Sequence, residues 1–125
     1  MNNYVTFKTA VKLEEAGFPR PEKASFGNVF YDKRGNEIVI VNAAPAAKVT
    51  YVVKGEAICY SKPSIPKKWI FAPTAADILE KFSGVDLVVC SADRWEVWLS
   101  RNLCSAEENP AEASATAWMY KTMDL

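Results

Sequence analysis

Val29-Phe30-Tyr31-Asp32-Lys33-Arg34-Gly35-Asn36-Glu37-Ile38-Val39-Ile40-Val41 is the stretch on which the fold reading turns. Val29–Tyr31 is a run of β-branched and aromatic side chains, the types that suit a pleated surface. Asp32–Asn36 supplies turn formers and a glycine free to take a positive φ. Glu37–Val41 then returns, so the segment predicts a β-hairpin. Ile38–Val41 has no polar alternation. Its strand is therefore expected to be central, with both faces covered.

The neighbouring segments extend the same pattern. Val49–Val53 and Glu56–Tyr60 flank Lys54-Gly55, a plausible two-residue hairpin turn. Ser61–Lys68 holds two prolines and three lysines and reads as loop or edge, with Trp69–Phe71 a short strand after it. Val85–Cys90 and Trp95–Leu99 flank the turn residues 91–94. Period-two alternation puts Trp95, Val97 and Leu99 on one face, and Glu96 and Trp98 on the other.

Three helices are marked by their ends. Thr6 is an N-cap, with Val5 and Ala10 at the hydrophobic-staple spacing, and Gly17 stops a helix over 7–16. Thr74 caps the second helix, Asp77 completes a capping box, Ile78, Leu79 and Phe82 form its apolar side, and Gly84 ends it. Asn109 caps the third, Pro110 takes its first position and Glu112 stands where a capping box closes. Ala111, Ala115, Trp118, Met119 and Thr122 share one side of it, the side expected to lie on a sheet.

Tight turns between consecutive strands imply antiparallel pairing, and three helices are too few to bundle around so many strands. The expectation is an α+β fold: one layered domain over 1–125, mainly antiparallel sheet, with three helices packed on its faces. Ile38–Val41 and Leu87–Val89 are expected in one sheet. A chain of 125 residues can bury about two-thirds of its unfolded surface, enough for a core without staples.

The charges are balanced overall but not along the chain. Residues 1–68 hold 11 Lys/Arg against 6 Asp/Glu, and residues 69–125 hold 4 against 9, so the halves carry +5 and −5. The expectation is that the halves interleave in space and the charges mix. Cys59, Cys90 and Cys104 are odd in number and form no C-x-x-C pair, which predicts free, reduced thiols. Met1–Val5 lacks a basic region followed by an apolar one, and no apolar run approaches a membrane span. A cytoplasmic protein with no membrane association is expected.

Three islands carry a resemblance. They are Lys12-Leu13-Glu14-Glu15-Ala16-Gly17-Phe18-Pro19, Trp69-Ile70-Phe71-Ala72-Pro73-Thr74-Ala75-Ala76-Asp77-Ile78-Leu79, and Asn109-Pro110-Ala111-Glu112-Ala113. They resemble small uncharacterised proteins of phages and prophages of gut bacteria. The resemblance implies a setting, an accessory protein of a mobile element, and no activity or functional residue.

The chain has no histidine. It thus lacks the commonest general base, the commonest metal ligand and the usual activator of serine or cysteine nucleophiles. No zinc-ligand spacing, EF-hand loop or glycine-rich phosphate loop is present. No catalytic residue, metal or cofactor is therefore expected. Cys104, near Arg101, is the best thiol nucleophile and still has no base. Two surfaces survive. Lys62, Lys67, Lys68 and Trp69, after Tyr60, put cations beside aromatics, as a phosphate backbone with stacked bases requires. The competing reading is a solvated loop with Trp69 in the core. Trp98 is an anchor for a partner if its sheet face is bare, and core if a helix covers it. Cover by a helix is expected.

The favoured function is a non-enzymatic accessory or protein-interaction protein, whose partner is a protein or a second copy of itself. The alternatives are a nucleic-acid-associated protein using segment 60–69, and a small enzyme with an Asp/Glu/Lys site.

Overall fold

A computed structural model describes residues 3–23, 25–43, 49–53, 56–60, 65–82, 85–91, 94–99 and 102–122. The elements run α1 (Phe7–Glu15), β1 (Val29–Tyr31), β2 (Glu37–Ala43), β3 (Val49–Val53), β4 (Glu56–Tyr60), β5 (Ile70–Phe71), α2 (Ala75–Leu79), β6 (Val85–Ser91), β7 (Arg94–Leu99), β8 (Asn102–Glu107) and α3 (Pro110–Thr122). The fold is α+β, and every pairing of these strands is antiparallel. The strands divide between two sheets, ordered β4-β3-β2-β1-β5 and β6-β7-β8, so Ile38–Val41 and Leu87–Val89 do not share one sheet. The chain forms two compact units, residues 18–72 and residues 1–17 with 73–125.

The unit 18–72 is built on the β1–β2 hairpin. Asp32 closes its turn: Oδ1 accepts from the backbone N–H of Arg34 (2.8 Å) and of Asn36 (2.9 Å). Gly35 takes φ 85°, a value most side chains resist. Strand β2 is central, as its sequence requires. Only one of its faces is fully covered. Ile38 and Ile40 are buried with Phe30 and Trp69, and Val53, Ile65 and Phe71 pack around them. Val39 is half-buried, and Val41 is 39% exposed. Alternation puts Val39 and Val41 on the face opposite Ile38 and Ile40, and a register shift, with Ile40 paired to Tyr51 and Asn42 to Thr50, leaves Val41 as the extra residue of a bulge.

In the unit 1–17 with 73–125, α1 begins at Thr6, whose hydroxyl accepts from the Thr9 backbone N–H. Gly17 has φ 88° and empty space where a Cβ would stand, so backbone conformation alone selects glycine there. Helix α2 carries the capping box: the Thr74 hydroxyl accepts from Asp77 N–H (3.2 Å), and Asp77 Oδ2 accepts from Thr74 N–H (3.0 Å). It stops at Leu79, earlier than Gly84. A turn follows, in which the Lys81 and Phe82 N–H groups donate to Ile78 and Leu79 carbonyls. Phe82 still packs with Val97, Ala113 and Ala117.

Helix α3 contacts α1, α2, β7 and β8. It is accordingly buried on more than one side, at Ala111, Ala113, Ser114, Ala115, Ala117 and Trp118. Ala113 and Ala117 pack with the sheet residue Val97. Met119 is half-buried and Thr122 exposed. Small side chains let the backbone approach its neighbours on every flank, which a single apolar stripe would not need. Asn102–Glu107, which contains Cys104 and for which the sequence predicts no strand, is strand β8. The side chains of Cys59, Cys90, Cys104 and Leu87–Val89 lie outside the described ones, as do residues 54–55 and 92–93 of the two expected turns.

Candidate functional site

The indole of the basic–aromatic segment lies in the core and is not a surface stacking group. Trp69 is 5% exposed, and its ring lies 5.8 Å from that of Phe30 in the core. Arg20 fixes the approach to it. Its Nη1 donates to the carbonyls of Lys67 (3.2 Å) and Trp69 (3.0 Å), and its Nη2 to that of Pro66 (2.8 Å). One rigid, always-charged fork thus satisfies three carbonyls of a proline-containing turn, which turns the indole inward. Lys67 and Lys68 are left exposed on this turn. Lys62 and the Tyr60 side chain lie outside the described residues.

Alternation along β7 puts Trp98 on the face opposite that of Val97, on which α3 packs. Trp98 is half-buried, and its Nε1–H donates to Glu96 Oε1 at 3.3 Å. Register shifts on both neighbouring strands fall beside it, leaving Asp86 of β6 and Cys104 of β8 as extra residues.

A cleft of about 340 Å³ opens at the junction of β8 and α3, lined by Arg94, Glu107, Glu108, Asn109 and Glu112. Two of its members already hold the fold. Asn109 Oδ1 accepts from the N–H groups of Ala111 (2.7 Å) and Glu112 (3.2 Å), which caps α3. The Glu112 carboxylate accepts from the Thr9 hydroxyl (2.7 Å), the Thr6 hydroxyl (3.3 Å) and the Thr6 N–H (3.4 Å) at the start of α1. Arg94, Glu107 and Glu108 remain, all exposed. Among the described residues, no buried side-chain N or O atom lacks a partner, and no three His, Cys, Asp or Glu converge to hold a metal ion. No helix among them is long and apolar enough to cross a membrane.

Phe26 is 79% exposed. It occupies the second position of the turn Ser25–Asn28, closed by Asn28 N–H donating to the Ser25 carbonyl at 3.0 Å. Gly27 follows with φ 87°, the positive value a type II turn needs at its third position. The turn is tied to the sheet: Gly27 N–H donates to the Ile40 carbonyl (2.8 Å), and Ile40 N–H to that of Asn28 (2.9 Å). Asn28 Oδ1 also accepts from Ser25 N–H (2.8 Å). The ring is thus displayed on a braced turn bonded to Ile40, the chain neighbour of Val41, which is the other large exposed hydrophobic of this unit among the described residues. Sequence reasoning passed over Phe26 inside a proline- and glycine-bearing loop. The signal was an aromatic set between turn formers, Ser25-Phe26-Gly27-Asn28, where no strand or helix could bury it.

No protein-family model matches the chain, and neither the curated proteins nor the solved structures contain a match to it.

Proposed function

We propose that this chain is a non-enzymatic protein-interaction protein and that Phe26 is the anchor of its contact surface. The observation that carries the reading is the exposure of Phe26 on a turn held by four hydrogen bonds. Burying a phenylalanine ring is worth about 1.5–3 kcal/mol, which folding leaves unused here. A ring already fixed in place loses little freedom on binding, and aromatic anchors in partner pockets dominate interface energetics. The setting is that of the resemblance: a cytoplasmic accessory protein of a phage or prophage.

The nucleic-acid reading loses its stacking group, because the Trp69 ring is spent in the core. The enzyme reading has the cleft at Glu107 and Glu108, but Glu112 is committed to Thr6 and Thr9. The test is affinity capture from host lysate with the wild type and Phe26→Ser side by side. Proteins retained by the wild type are expected to be lost from the variant at equal thermal stability. Equal capture by both would sink the assignment of Phe26.

A further inference from the structure

The two compact units carry opposite net charges. Residues 18–72 hold nine Lys/Arg and four Asp/Glu, a net of +5. Residues 1–17 with 73–125 hold six and eleven, a net of −5. Each unit also displays apolar side chains. Among the described residues, the large exposed hydrophobics are Phe26 and Val41 on the basic unit, and Tyr120, 49% exposed, on the acidic one. A second copy of the chain therefore offers each unit an opposite field and an aromatic ring.

We propose that copies of this chain associate head to tail, the Phe26–Val41 surface of one copy seating on the Tyr120-bearing acidic unit of the next. The proposal rests on the reading of Phe26 as a contact anchor and names its partner. Opposite net charges raise the encounter rate and set the polarity, since like units repel. The aromatic anchors then supply contact area. The two contacting surfaces differ, so the interface is heterologous and propagates or closes into a ring.

The experiment is sedimentation of the full chain in low and high salt. At about 10 mM salt, where the Debye length is about 30 Å, the mass should rise with concentration to at least about twice that of one chain, and at about 1 M it should fall back to one. Phe26→Ser and Tyr120→Ser alter exposed side chains, and each alone should remain monomeric. Mixed, they should give a one-to-one dimer, because one variant keeps the basic surface and the other the acidic one. Lys67→Gln with Lys68→Gln removes two of the nine cations of unit 18–72 and should weaken low-salt association several-fold. A wild type monomeric at low salt, association that strengthens with salt, or a mixture that stays monomeric would each overturn the proposal. A monomeric wild type that captures a foreign protein through Phe26 would overturn it and leave the broader reading standing. Self-association unaffected by Phe26→Ser would overturn both.

Discussion

The Thr9 hydroxyl donates a 2.7 Å hydrogen bond to the carboxylate of Glu112, 103 residues further along the chain. The same carboxylate accepts from both polar groups of Thr6, the N-cap of α1. A residue placed to cap its own helix thus caps another, and joins the first and last helices of the unit. Because the acceptor is charged and half-buried, Glu112→Ala should cost about 1–3 kcal/mol. Thr9→Val should cost less, and the double variant should show a coupling of at least about 0.5 kcal/mol in urea unfolding. Strict additivity would mean that the contact contributes nothing.

Asn109 caps α3 through two backbone N–H groups. Asn109→Ala should destabilise by about 1 kcal/mol, and Asn109→Asp should be near neutral, since aspartate caps as well. Equilibrium denaturation of the two variants checks both values.

Ile40 and Val41 are neighbours with opposite fates: Ile40 is fully buried on one face of β2, and Val41, at the bulge, is exposed on the other. Ile40→Ala should cost about 2–5 kcal/mol as a core deletion. Val41→Ala should stay within about 0.5 kcal/mol, as surface changes usually do. Similar losses at both positions would contradict this placement of the two side chains.

Arg20 serves three carbonyls at once. Arg20→Lys keeps the charge but not the fork, so it should lose most of what Arg20→Ala loses, about 1–3 kcal/mol. Full rescue by lysine, read from melting curves, would show that only the charge matters.

What the sequence disclosed, and what it hid, divides by range. Thr6, Gly17, Thr74 with Asp77, and Asn109 were legible because capping is settled within four residues. The β1–β2 hairpin was legible for the same reason. Strand β8 was not: Asn102-Leu103-Cys104-Ser105-Ala106-Glu107 carries little β-branched or aromatic character, and its pairing with β7 makes it a strand. The division into two sheets and the grouping of residues 1–17 with 73–125 are set by long-range pairing and contacts, which no local pattern announces. The same holds for the site. Trp69 read as a candidate stacking group because its partner in the turn, Arg20, lies 49 residues away. Phe26 was missed because exposure is a property of what fails to pack against a residue.

The most direct test of the account is the stability of Phe26→Ser measured beside the wild type by urea unfolding. A ring that is displayed for a partner contributes nothing to folding, so the two midpoints should agree to within about 0.5 kcal/mol of stability. A loss of about 2 kcal/mol or more, the scale of a vacated core site, would show that Phe26 belongs to the fold and would contradict its role as the contact anchor.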